Sequence, residues 1–255
     1  MRDEINELSI VNIYETWNVN EPSVNVTGLS NYAQELLFSP AVKTELKGRA
    51  KGGIIMCNNK KFSQSKKVYV SSNCILAKIE MSQVSFILGV LYISPLTDIK
   101  PILNDLREQL NLILQEYPKL PIIIVGDFNS RILNENEIFE ESFILNDRIK
   151  LNRTSMYMFL TKREKCLLSC MEEFGLFALN GRSCSDTPAQ YTYISTNRCS
   201  VADLVWANVL AINELIIDLK VLTLPVNSDH LPIIVCIKNE EQQEIINVNS
   251  SKITW

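Results

Sequence analysis

A succession of short strand-like runs, separated by polar knots, constrains this chain more than any other feature. The runs are Ser9–Tyr14, Gly53–Met56, Val68–Val70, Cys74–Ile79, Val84–Tyr92, Leu120–Val125, Tyr191–Ile194, Val201–Trp206, Ile216–Leu222 and Pro232–Ile237. Some alternate apolar and polar residues, and others are apolar throughout, as buried strands are. Against them stand only two helical patterns. Asp98–Glu116 repeats Leu103, Leu106, Leu110 and Ile113 at spacings of three and four, and Pro118 and Pro121 stop it. Lys165–Phe174 ends at Gly175, a residue suited to a helix C-terminus. Many strands with few helices between them predict an α/β (α+β) arrangement of two mixed sheets packed face to face with helices outside, rather than a doubly wound parallel sheet. The stretch Ile132–Lys162 reads as a long surface excursion. Residues 1–238 read as one domain, and Asn239–Trp255 as a polar tail or linker.

Composition narrows the class. The chain has 255 residues, 46% of them hydrophobic and 21% charged, enough to bury a sizeable core. Its net charge of −4 gives no general pull toward nucleic acid, so a polyanionic substrate needs a local basic rim or a bound cation. The seven cysteines form no Cys-x-x-Cys pair, and no secretory signal opens the chain. They read as reduced thiols of an intracellular protein. No apolar run approaches the length of a membrane span.

Chemistry is confined by the single histidine, His230, in Asn227-Ser228-Asp229-His230-Leu231-Pro232. Alone, an Asp-His pair decorates surfaces more often than it catalyses. A second polar knot, Gly126-Asp127-Phe128-Asn129, reverses that weighting. Asp127 and Asn129 are two residues apart at a strand end, which aims both to one side of an extended chain. Such a pair serves a hard cation, a phosphate or an attacking water, or else forms an Asx turn. Asp203 lies within the apolar run Val201–Trp206, where a charge is costly unless paired. His230 is the only imidazole available to pair with it. Glu15 and Tyr92 each close a further apolar run with a polar group.

Together these residues suit metal-assisted attack of water on a phosphodiester. Glu15 and Asp229 are the expected holders of Mg²⁺, with Mn²⁺ as the alternative. Asp127, beside Asn129, is expected to orient or deprotonate water. His230, charged by Asp203, is expected to stabilise the transition state, and Tyr92 to hold the phosphate or assist the leaving group. With one histidine, a mechanism using separate histidine acid and base is excluded.

The strings Glu15-Thr16-Trp17, Gly52-Gly53-Ile54, Tyr92-x-x-Pro95, Gly126-Asp127-Phe128-Asn129, Leu179-Asn180-Gly181-Arg182, Ser200-Val201-Ala202-Asp203 and Ser228-Asp229-His230-Leu231-Pro232 occur in this order. In that order they resemble the endonuclease/exonuclease/phosphatase superfamily. The chain is most similar to the apurinic-type endonuclease domain of non-LTR, LINE-like retrotransposons. The Leu179–Arg182 string and Tyr191-Thr192-Tyr193 favour that branch. The resemblance spans about Ile10 to Ile237. It implies a four-layer α/β sandwich of DNase I-like fold, Mg²⁺, a DNA partner, and nicking that leaves a 3′-hydroxyl. It implies also a monomer acting in the nucleus, without membrane attachment, and the chain reads as ending before any reverse transcriptase domain would start.

Two departures stand out. The resemblance places a strand ending in asparagine ahead of the Glu15 strand. Only Met1–Leu8 stand there, so the sequence reads as lacking its first strand and as leaving an open edge beside Glu15. An Asp and a Gly are expected near positions held by Tyr157 and Glu164. These departures set a second reading beside the nuclease: a catalytically impaired remnant or domesticated nucleic-acid-binding module with the same fold. A third keeps the chemistry on a phosphoinositide, sphingomyelin or an RNA tail, and the retrotransposon-like strings weigh against it.

Overall fold

Period-two alternation along the apolar runs is what stacks the sheets. The computed structural model describes residues 8–20, 36–43, 47–59, 61–138, 148–156, 160–223 and 228–238, and the backbone of 244–247. The first sheet contains β1 (Ile10–Tyr14), β2 (Leu36–Ser39), β3 (Ile54–Asn58), β12 (Ile216–Val221), β13 (Ile233–Ile237) and β14 (Glu244–Asn247), in the order β12-β13-β14-β1-β3-β2. The second contains β4 (Ser63–Val70), β5 (Cys74–Met81), β6 (Ser85–Tyr92), β7 (Ile122–Asp127), β8 (Leu176–Ala178) and β11 (Asp203–Asn208), in the order β4-β5-β6-β7-β11-β8. A short ribbon pairs β9 (Tyr193–Ile194) with β10 (Cys199–Ser200). Both large sheets are mixed, because β6 and β7 run parallel, as do β1 and β14.

On β7, Ile123 and Val125 join Val90 and Val205 of their own sheet and Ile10, Ile54 and Val235 of the other in one buried cluster. The intervening Ile122 and Ile124 turn the opposite way with Leu204 and Trp206, toward α1 (Ile99–Glu116) and α2 (Lys162–Glu173). Helix α1 contributes Leu103, Leu106, Leu110 and Ile113, the stripe expected from the sequence, and Asp98 caps its first turn. Helix α2 starts three residues earlier than expected. A capping box explains this: Thr161 caps the helix while Glu164 reaches back to the Thr161 backbone. The α/β sandwich expected from the strand pattern is therefore present.

Three expectations are corrected. The polar composition of Asn239–Trp255 suggested a tail, yet Glu244–Asn247 is a strand in the middle of the first sheet. It runs antiparallel to β13, with Ile246 opposite Val235, and parallel to β1, with Ile246 opposite Ile10. The edge of β1 that was expected to stay open is thus filled by backbone from the other end of the chain. The physical reason is local. Ile245-Ile246 is a β-branched pair inside a polar stretch, and unpaired main-chain groups on β1 and β13 reward any strand that can lie between them. The other residues of the supposed tail, Tyr157 and Met1–Glu7 lie outside the described residues. The excursion Ile132–Lys162 is also not all surface. Ile132, Ile138, Ile149 and Arg153 are buried, and Ile149 bridges Ser183.

Candidate active site

Strand register assembles most of the site. Tyr92 is opposite Asp127 across the parallel β6–β7 pair, and Asp127 is opposite Asp203 across the antiparallel β7–β11 pair. One row across three neighbouring strands therefore carries a phenol and two carboxylates at the same sheet end. The first sheet brings Glu15, which directly follows β1, and His230, which shortly precedes β13. Gly126 makes this row possible: a Cβ there would collide with the Leu91 carbonyl of the parallel neighbour.

The knot after β7 folds as a tight turn. Asn129 adopts a left-handed backbone with φ of 45°, a conformation asparagine tolerates better than most residues. Its N–H donates to Oδ1 of Asp127 at 3.0 Å, and its Nδ2 donates to Oδ2 at 2.8 Å. Both Asp127 oxygens are thereby oriented by one residue. Asp127 is buried, and burial, with the charge of Asp203, raises its pKa, while His230 and the Asn129 N–H partly offset this. The carboxyl is thus driven to share positive charge or a proton.

That positive charge is at hand. Nδ1 of His230 lies 2.8 Å from Oδ2 of Asp203, the pairing the single-histidine argument required. Burial alone lowers the imidazole pKa. The charge of Asp203 and its hydrogen bond, then Asp127 and Glu15, outweigh burial and raise it to about 9. The imidazolium therefore persists at neutral pH, with Nδ1 as the donor. Asp127, Asp203 and His230 have ligand-type atoms all within 4.8 Å of one another.

Glu15 and Tyr92 form the second contact. The Tyr92 hydroxyl donates to Oε1 of Glu15 at 2.5 Å. Burial, then this bond to a carboxylate, holds the Tyr92 pKa well above its ordinary range. The phenol is thus engaged by Glu15 rather than left open for a phosphate. Glu15 itself has φ of 51°, a strained backbone for a residue with a side chain, costing roughly 1–3 kcal/mol. Main-chain bonds from Thr16 and Trp17 to Gly53 and Gly52 hold that turn. Asp229 is exposed, and the contact it makes is through its carbonyl, which accepts the Ile194 N–H at 2.7 Å. The structure thus joins Asp127 with Asn129, Asp203 with His230, and Glu15 with Tyr92. It places Asp229 beside them in the chain, outside the tight trio.

Several positioning residues were not singled out from sequence. Thr192 Oγ1 accepts the N–H groups of both Ala202 and Asp203 at 3.0 Å, and the Thr192 carbonyl accepts Leu231 N–H at 2.7 Å. One threonine therefore ties the Asp203 strand to the His230 loop. The Tyr193 ring packs edge-on against His230, with centroids 4.9 Å apart. Buried Asn180 spans the Asp203 carbonyl and the Val205 N–H. At the other side, Arg163 donates to the Ser94 and Thr97 carbonyls, while Glu164 accepts the Arg131 N–H, so the start of α2 grips the loops after both β6 and β7. The strings Tyr191-Thr192-Tyr193 and Leu179–Arg182 served in the sequence only to favour a family branch, and the tertiary contacts show what these residues do.

The donor set fits a hard divalent cation. Glu15, Asp127 and Asp203 are carboxylates converging on one sheet end, and Oδ1 of Asp203 is buried without a hydrogen-bond partner. An orphaned carboxylate oxygen in a cluster of like charges is an arrangement that a bound cation or proton relieves. No cysteine belongs to the trio, which disfavours softer metals.

Fold and site together define a member of a known class. The chain matches the endonuclease-reverse transcriptase family over residues 86–234, more than half its length, and belongs to that family. No curated protein matches the sequence. Among solved structures it is similar to the endonuclease domain of TRAS1, a telomere-specific non-LTR retrotransposon. The two are 17% identical with a TM-score of 0.58, and the match covers 97% of this chain and 88% of that one. It is similar also to the human Nocturnin catalytic domain with bound sulfate anion. There the identity is 15% and the TM-score 0.58, over 89% of this chain and 79% of that one. At these identities the likeness establishes a shared fold. No helix among the described residues is long and apolar enough to cross a membrane.

Proposed function

We propose that the protein is a Mg²⁺-dependent phosphodiester hydrolase that nicks DNA, a reading carried above all by the 2.8 Å pair of Asp203 and His230 set against buried Asp127. Family membership and the fold shared with a retrotransposon endonuclease support it. A cation held by Glu15 and the unpartnered Oδ1 of Asp203, with exposed Asp229 as the further carboxylate expected from the sequence, would neutralise phosphoryl charge and favour the leaving alkoxide. The remaining work falls to the chain. Asp127, its oxygens fixed by Asn129, orients the attacking water and takes up its proton. His230, kept cationic by Asp203, donates to the non-bridging phosphoryl oxygens as negative charge accumulates on them. Tyr92 fixes Glu15. In this reading DNA is the substrate, the protein acts as a monomer, and its work lies in the nucleus.

Nicking of supercoiled plasmid by purified protein is the test. Conversion to open circle is expected with Mg²⁺ or Mn²⁺ and should stop with EDTA. Undiminished nicking in chelator sinks the metal-dependent reading, and absence of nicking under every cation favours the non-catalytic binding module.

A further inference from the structure

Helices α1 and α2 pack side by side on the second sheet and leave a cleft of about 350 Å³ between them. Leu103 and Cys166 give it an apolar lining, its charged side chains are Lys100 and Arg107 of α1 and Lys165 of α2, and no acidic residue lines it. This concentration of positive charge runs against a net charge of −4 for the whole chain. Arg107 is partly neutralised by Glu173, whose Oε2 lies 2.8 Å from its Nε. Lys100 and Lys165 are exposed, and neither enters an ion pair among the described residues.

The cleft also opens at the right end of the molecule. Lys100 and Lys165 sit near the starts of their helices, where the helix dipoles add positive potential. Asp98 caps α1 directly after the Ser94–Thr97 turn that follows Tyr92. From α2, Arg163 clamps that same turn through its carbonyls, at 2.7 and 3.0 Å. The clamped turn presents Leu96, which is 91% exposed. The turn after Tyr92, with its apolar knuckle, thus adjoins the first turns of the two helices, whose cleft carries Lys100 and Lys165.

We propose that the α1–α2 cleft receives the sugar-phosphate backbone of the nucleic acid beyond the scissile phosphate, with Lys100 and Lys165 as its phosphate contacts. The inference rests on the nuclease reading for its substrate class, but it concerns binding away from the chemistry. A surface that neutralises phosphates contributes affinity that falls steeply with salt.

The test is fluorescence anisotropy with a labelled duplex of about 30 base pairs, in EDTA, across a KCl series. Lys100→Glu with Lys165→Glu should weaken binding at least roughly tenfold and lower the slope of log K against log salt by about two. Lys100→Gln with Lys165→Gln should fall between this variant and the parent. The control is the pair Lys119→Glu with Lys238→Glu. Lys119 precedes β7 and Lys238 follows β13, both at the sheet end opposite the site, so the control should bind like the parent. All four lysines are exposed, and melting curves should coincide. The proposal is overturned if the cleft variants bind like the control, or if the parent binds no duplex. Because binding is read in chelator, lysine-dependent affinity without any Mg²⁺-supported nicking would remove the nuclease reading and leave the cleft standing.

Discussion

Asp203 and His230, 27 positions apart in the chain, meet through Oδ2 and Nδ1 at 2.8 Å beside the buried carboxylate of Asp127. The pair is a charge device. Buried without Asp203, the imidazole would titrate lower, and the aspartate raises it to about 9. Because His230 is the only histidine, its ring protons give one resolvable signal set for an NMR titration. With divalent cations chelated, the parent should titrate near 9, and Asp203→Asn should titrate markedly lower. A histidine whose folded pKa lies above 6.5 stabilises the fold below that pH and loses the contribution as pH rises through about 9. The melting temperature of the parent should therefore decline between those limits more than that of Asp203→Asn. Nicking by the variant should drop by roughly 10²–10³, as for removal of a preorganised electrostatic group. A variant that titrates and nicks as the parent does would falsify the pairing role.

Thr192 is expected to matter more than a surface threonine would. Its hydroxyl accepts two buried N–H groups, one of them from Asp203 itself. Thr192→Val keeps the shape and strands both donors, at a cost of about 1–3 kcal/mol for each buried unsatisfied group. Thr192→Ser keeps the acceptor and should restore most of the stability. Chemical denaturation of the three proteins separates the outcomes. Loss in Thr192→Ser with none in Thr192→Val would mean that the methyl group, not the hydroxyl, holds the strand.

Tyr92→Phe isolates the second contact. The ring stays in the core while the 2.5 Å donation to Glu15 disappears. Glu15 is then held only by its strained turn and by main-chain bonds from Thr16 and Trp17. Loss of an orienting partner beside a metal ligand typically costs 10–100-fold in metal affinity or activity, by the order-of-magnitude rule for outer-shell residues. A Mg²⁺ titration of nicking should shift its midpoint upward, with little change in melting temperature. An unchanged midpoint together with a lower maximal rate would instead place the phenol on the substrate.

The residues that carry chemistry were legible because each closes or interrupts an apolar run. A carboxylate in such a place is either paired or functional, so Asp127, Asp203 and Glu15 stood out, and the lone histidine forced the Asp203 pairing. What the sequence hid is what depends on register. Nothing in the run Ile122–Asp127 announces that Asp127 will face Tyr92 on one side and Asp203 on the other. Thr192 and Asn180 were hidden for the same reason, since their partners are backbone groups of a distant strand. Helix α2 began earlier than its apolar pattern because capping involves Thr161 and Glu164, which add nothing to periodicity. The strand Glu244–Asn247 was missed because four residues in a polar stretch carry too little pattern to outweigh their neighbours.

That strand supports the last prediction. Ile246 lies between Ile10 of β1 and Val235 of β13, in the interior of the sheet rather than at its edge. Proline there can donate no ladder hydrogen bond, and a central strand does not tolerate it. Ile246→Pro should cost on the order of 3 kcal/mol, which for a domain of this size lowers the melting temperature by about 6–12 °C. Amide exchange should quicken at Ile10, Val11 and Ile234–Ile237, the neighbours that lose their partner, and stay slow in β5–β6 of the other sheet. A crosslink checks the register directly. Cys236 is opposite Ile245, and cross-strand neighbours on an antiparallel ladder lie within disulfide range. Ile245→Cys should therefore oxidise to an intramolecular disulfide with Cys236 that raises the melting temperature and vanishes on reduction. If Ile246→Pro melts with the parent and Ile245→Cys gives no such bond, Glu244–Asn247 does not close the sheet, and the edge of β1 beside Glu15 is open as the sequence first suggested.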